Sequence, residues 1–143
     1  MKALFFATVV LFAFASCKKP DSSQSSPRAL LIAHKWYYHV FTQDGLHISL
    51  SYCDTNNYLL FSDGNNGGIG NDFSACYGKS GIISTFTYTF SPDSNIIHVK
   101  NFGGGDYTWQ VMTLNSTTLR IAFTASTPPP AFAPNFDYIY TTR

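Results

Sequence analysis

The 143-residue sequence predicts an all-β domain: an up-and-down antiparallel β-barrel of about eight strands, with a short N-terminal helix ahead of the first. Three observations carry that expectation. All eight acidic residues are aspartate and none is glutamate; glutamate favours helix interiors, whereas aspartate favours turns and caps. Thr, Tyr, Phe, Ile and Val are plentiful and aromatics reach 17 %, a supply suited to pleated, half-buried surfaces. Short alternating segments are separated by turn residues at the roughly 8–12-residue spacing of barrels and sandwiches. Nearly every connection is a tight turn, so strand order follows sequence, and closing such a meander leaves no open edge. A sandwich of similar strands is the other architecture that the pattern allows.

The N-terminus reads as an export signal. Met1-Lys2 precedes an apolar run from Leu4 to Phe14, about half of the ~20 residues that a membrane span needs. Phe14-Ala15-Ser16-Cys17 resembles a bacterial lipobox, in which the cysteine becomes the first mature residue and carries acyl chains. Residues 1–16 are therefore read as a lipoprotein signal peptide and residues 17–27 as the lipidated Cys17 with a flexible tether, Lys-Lys-Pro-Asp-Ser-Ser-Gln-Ser-Ser-Pro. A plain signal peptide with a chance cysteine is the alternative. Of three cysteines one is odd, and acylation would remove a free thiol from an oxidising compartment. Lysine, not aspartate, follows Cys17, which favours the outer membrane.

Residues 28–143 form the predicted domain. Ser26-Pro27 reads as an N-cap followed by proline in the first turn, leading a helix from Arg28 to His34. The period then becomes two. Trp36, Tyr38 and Val40 fall on one face, and Tyr37, His39 and Phe41 on the other. Asp44-Gly45 is a hairpin turn, returning through Leu46, Ile48 and Leu50. Tyr58–Phe61 is a third strand. A glycine-rich loop follows, then a strand over Phe73–Tyr77. Ile82–Phe90 is the clearest strand, with Phe86, Tyr88 and Phe90 on one face and threonines on the other. Ile96–Lys100, Tyr107–Met112, the segment around Leu119, Ile121 and Phe123, and Phe136–Thr142 complete the set. Ala125–Asn135, with three consecutive prolines, reads as a long loop.

Chemistry-bearing motifs are sparse. Charged residues make up 12 % and the net charge is +1; the cations are scattered, which argues against nucleic acid. In an exported chain Cys53 and Cys76 are expected to pair, closing a loop worth roughly 3 kcal/mol in the chain-entropy model; two buried free thiols are the alternative. Gly67-Gly68-Ile69-Gly70-Asn71-Asp72 matches a single calcium-type repeat, but such repeats need tandem copies and Ser74 stands where an apolar residue belongs. The four histidines, His34, His39, His47 and His98, lack metal-ligand spacing, although His39 and His47 could face each other across the hairpin. No metal or cofactor is expected. No nucleophile elbow, phosphate loop or paired glutamates occur, so no enzyme is expected. Asn115-Ser116-Thr117 is read as a turn. The aromatic rows either line a pocket for an apolar ligand or fill the barrel, and an eight-stranded barrel is wide enough for either. The candidate lining is Trp36, Tyr38, Phe86, Tyr88, Trp109 and Phe123, with the Ala125–Asn135 loop as rim or lid.

The helix running into Lys35-Trp36, the Asp44-Gly45 turn, Cys53-Asp54-Thr55-Asn56-Asn57 with Phe61-Ser62-Asp63-Gly64, and Cys76 carry a resemblance. Over about Ala29 to Thr142 the chain resembles the lipocalin-like domains of Gram-negative bacterial lipoproteins. The first cysteine run is similar to the family's Cys-x-x-Asp-Asn…Phe…Gly stretch, with Asn56 where Asp is frequent, and Cys76 is placed like its second cysteine. His34-Lys35-Trp36 stands where lipocalins carry Gly-x-Trp. The resemblance implies a barrel with one open end and leaves the ligand unspecified. The expected protein is a cell-envelope lipoprotein, held in the membrane by its N-terminal lipid, binding a small hydrophobic ligand. A filled barrel that binds an envelope protein partner is the alternative.

Overall fold

The structure is a computed structural model and describes residues 25–127 and 136–143. Helix α1 (Pro27–Ile32) opens it. The Ser26 hydroxyl accepts the Ala29 amide at 3.2 Å, and Pro27 spends its missing N–H where no helical bond is due. Strand β1 (Lys35–Gln43) turns through Asp44-Gly45 into β2 (Leu46–Ile48). Both turn residues have positive φ, 51° and 80°, which suits the primed turn of a two-residue hairpin. Then follow α2 (Tyr52–Thr55), β3 (Asn57–Phe61), β4 (Asn66–Asn71), α3 (Ser74–Tyr77), β5 (Gly81–Ser91), β6 (Ile96–Phe102), β7 (Gly105–Leu114), β8 (Thr118–Thr127) and β9 (Phe136–Thr141).

From β3 to β9 each strand pairs antiparallel with the next, and β9 pairs with β1. That last pairing closes a barrel and sets the sandwich aside. One edge of β1 is taken by β9. The other is shared by β3, at Lys35–Tyr37, and β2, at Phe41–Gln43. Eight strands therefore make the wall, and β2 is a short flap on its upper part with α2 packed against β1 and β3 beneath it.

Helix α1 plugs the lower end. Leu31 is fully buried, and the Trp36 indole N–H donates to its carbonyl at 2.8 Å. Above this plug Leu59, Ile97, Leu119 and Ile121 are all inaccessible. A side chain with no accessible area borders no space that water can enter, so the lower half is packed solid.

Several expectations need correction. Strict alternation fails in β1, where the pairing with β9 shifts between Tyr38 and Val40. This bulge at His39 inserts one residue, so Tyr38 and Phe41, not Tyr38 and Val40, face inward with Tyr140 and Tyr138. The two-residue Asp44-Gly45 turn pairs Gln43 with Leu46, which puts His47 opposite Thr42 and not opposite His39. The glycine-rich loop is strand β4, paired on both sides. Phe73–Tyr77 is not a strand: it leads into α3, ended by Gly78 at φ 71°. Strand β2 is three residues long, and Leu46 and Ile48 are exposed. Helix α1 ends two residues before His34, and β8 runs through Thr127 into the expected loop. The remainder of that expected loop, and residues 1–24 with the expected signal peptide, Cys17 and most of the expected tether, lie outside the described residues.

Candidate functional site

The six candidate lining residues come together inside one barrel, at different depths. Trp36 is a floor residue beside the His34 ring, with its polar atom already bonded to Leu31. Phe86 and Tyr88 are 3 % accessible. They pack on Phe61 at 5.8 and 5.0 Å between ring centroids, and the Tyr88 hydroxyl donates to the Ser62 carbonyl at 3.0 Å. These three are core. Trp109 is also fully buried, but it sits one ring below the upper end. Tyr38 and Phe123 are half-buried and belong to that end.

Alternation alone did not place the other rings there. Phe41, Phe102, Tyr107, Phe136 and Tyr138 are all half-buried. Phe102 reaches in because β6 shifts register between Val99 and Phe102; Phe41 does so through the bulge in β1. Together they form a continuous aromatic belt. Trp109 meets Phe102 at 5.0 Å and Phe123 at 5.2 Å. Phe123 meets Tyr138 at 5.1 Å, and Tyr138 stacks on Phe41 at 4.6 Å. Tyr38 then meets Tyr140 at 4.7 Å. Most contacts are edge-on or tilted, as ring quadrupoles prefer.

The belt is electrically neutral. Burial pushes the Tyr138 and Tyr140 phenols well above the usual tyrosine range. It raises Tyr38 too, although a hydrogen bond from the Tyr140 hydroxyl partly offsets this. Among the described residues the buried polar side chain is Asn71, and no charged side chain is buried.

A disulfide joins Cys53 on α2 to Cys76 on α3, with Cα atoms 5.5 Å apart. It links two one-turn helices at the upper end, and Cys76 lies on a helix where the sequence predicts a strand over Phe73–Tyr77. Helix α2 had a legible signal that pattern reading missed: Ser51 and Asp54 form a reciprocal capping box. Asn71 knots the same region. Its amide donates to the Cys53 carbonyl at 3.2 Å and to Asn57 Oδ1 at 2.7 Å, and its oxygen accepts the Phe73 amide at 2.6 Å.

The calcium-like run thus has other duties. Gly67 and Gly70 leave room for rings, Asn71 is the buried knot, and Asp72 clamps the outer wall. Asp72 accepts from Lys35 Nζ at 2.8 Å and from the Tyr37 hydroxyl. Lys35 stands over the Tyr58 ring and Arg143 over the Tyr37 ring, at 4.3 and 4.2 Å. Among the described residues no group of three His, Cys, Asp or Glu side chains converges as a metal site would.

Burial by itself would raise the Asp72 carboxyl. The hydrogen bonds from Lys35 and Tyr37, with the charges of Lys35 and Arg143, outweigh it and hold the pKa below the usual value. A depressed folded-state pKa contributes stability that is present above the unfolded value, near ~4, and is lost as pH falls through the lower folded one. Asp72→Asn is therefore expected to cost about 1 kcal/mol at neutral pH, since the pair is largely exposed. It should also flatten the acid side of the stability profile. Urea midpoints from pH 3 to 7 check this; an unchanged acid slope would remove Asp72 from the account.

The fold and belt define a class: a small closed antiparallel barrel, plugged at one end and ringed by aromatic side chains at the other, of the ligand-binding type. The chain belongs to the lipocalin-like domain family, whose sequence model matches residues 32–121. Comparison with curated proteins gives no match, and comparison with solved structures gives none.

Proposed function

We propose that this protein is a lipid-anchored lipoprotein of the cell envelope, in the outer membrane, that binds a small hydrophobic molecule at the upper end of its barrel. It acts by binding and not by catalysis. The observation that carries this reading is the aromatic belt. Half-buried rings are gathered at the end away from the α1 plug, in a neutral setting that favours an apolar occupant. The packed lower half limits where such a molecule sits, so Tyr38, Trp109 and Phe123 are the contacts retained from the expected lining, joined by Phe41, Phe102 and Tyr138. The anchor rests on the Ser16-Cys17 junction and on the tether sequence.

Native mass spectrometry of the full chain, extracted from membranes, tests both parts. A Cys17 carrying acyl chains is expected, together with a co-purifying apolar molecule or uptake of an apolar fluorescent probe. An unmodified Cys17, or cleavage elsewhere, removes the anchor.

The packed lower half also favours a second reading, in which the filled barrel serves as a scaffold for a protein partner. Tyr52, Phe73 and Tyr77 are exposed around the disulfide, and Tyr52 and Phe73 meet edge-on at 5.2 Å. Absence of any bound or bindable apolar molecule selects this reading over the first.

A further inference from the structure

The two tryptophans of the chain are both fully buried, yet they are not equivalent. The Trp36 N–H is satisfied by the Leu31 carbonyl. Among the described residues, Trp109 Nε1 is a buried donor with no hydrogen-bond partner. A buried N–H without an acceptor is costly and rare enough to need a reason. This one is held in the middle of β7, opposite Phe123 and Ile97, under rings that are themselves half-buried. Phe102 stands perpendicular to it at 5.0 Å, on a hairpin where Asn101, Gly103 and Gly104 all have positive φ. A molecule entering the upper end and displacing Phe102 or Phe123 reaches the Trp109 ring that carries this donor.

We infer that the ligand has an apolar body bearing one neutral hydrogen-bond acceptor, a carbonyl of ester or ketone type, and that the Trp109 N–H binds that oxygen. The inference rests on the ligand-binding reading above and adds the ligand's chemical class. The acceptor is neutral because no buried side chain described here is charged. A carboxylate beside Trp109 would lose its hydration without gaining a counter-charge, a far larger cost than one hydrogen bond returns. A pure hydrocarbon would leave the donor as it is.

The test compares three probes of equal chain length, methyl dodecanoate, dodecane and dodecanoate anion, on protein labelled with ¹⁵N at its indoles. Methyl dodecanoate is expected to bind most tightly and to move the Trp109 indole N–H resonance downfield, while that of Trp36 stays in place. Trp109→Phe keeps an aromatic ring and breaks no hydrogen bond among the described residues. It is expected to weaken methyl dodecanoate by roughly tenfold more than it weakens dodecane, the smaller ring costing both probes the same apolar contact. The inference is overturned if the ester binds without moving the Trp109 signal, if the substitution weakens ester and alkane alike, or if the anion binds best. Those outcomes leave ligand binding standing. If none of the three probes binds, the ligand-binding reading itself fails and this inference with it.

Discussion

Replacing Trp36 with alanine is expected to lower the unfolding free energy by about 4 kcal/mol, close to the upper range for emptying a core site. Trp36 is fully buried and its indole N–H holds the Leu31 carbonyl at 2.8 Å. Alanine therefore removes a large apolar volume from the barrel floor and one of the bonds that hold the α1 plug. The surrounding wall is a closed sheet, paired on both edges of every strand from β3 to β9, so it has little freedom to collapse into the space. Trp36→Phe separates the two contributions: it keeps most of the packing and loses the bond, for about 1–2 kcal/mol. Urea unfolding followed by circular dichroism measures both. A loss below about 1.5 kcal/mol for the alanine variant would mean that the plug is not held through this residue.

Gly67→Ala is the second large effect, expected at about 2–3 kcal/mol from overpacking. The added Cβ would stand 2.3 Å from the Phe86 ring and 2.9 Å from the Leu60 carbonyl oxygen. The ring belongs to the packed core and the carbonyl to the paired backbone, so neither yields cheaply. Gly70 has the same relation to Tyr58 on the outer wall, where the Cβ would come within 2.2 Å of the ring. Gly68 is the control. Its Cβ would meet Ile82 at 3.0 Å and the Ser84 carbonyl oxygen at 3.3 Å, tight contacts but no overlap, and Ile82 is an exposed side chain that can shift, so Gly68→Ala should cost under ~1 kcal/mol. If all three alanine variants behave alike, backbone entropy and not ring accommodation explains the glycines. Thermal melts of the three variants decide between them.

The glycines mark the boundary between what was legible and what was not. Glycine in sequence signals freedom, and a run of three in four residues reads as a loop. In the barrel it signals the reverse: β4 is a central strand whose side-chain space is filled by Phe86 from the next strand and Tyr58 from the previous one. That exchange is a cross-strand fact, invisible along one strand. The bulge at His39 is similar. It adds no turn residue and leaves both flanks apolar, so alternation reads straight through it, yet it decides that Phe41 joins the aromatic belt and Val40 does not.

By itself the sequence determined the all-β class, the meander order, the Asp44-Gly45 hairpin, the Ser26-Pro27 helix start and the Cys53–Cys76 pairing. All but the last follow from local chemistry, where turn residues, caps and the period of two act within a few positions; the pairing, across 23 residues, follows from the domain having two cysteines. Tertiary structure decided closure through β1 and β9, the depth of each aromatic ring, and the unequal fates of the two tryptophans. Depth in a barrel depends on which ring of another strand arrives from the side. Trp36 finds a carbonyl within its own plug, whereas Trp109 meets rings on three sides and keeps a donor with no acceptor among the described residues.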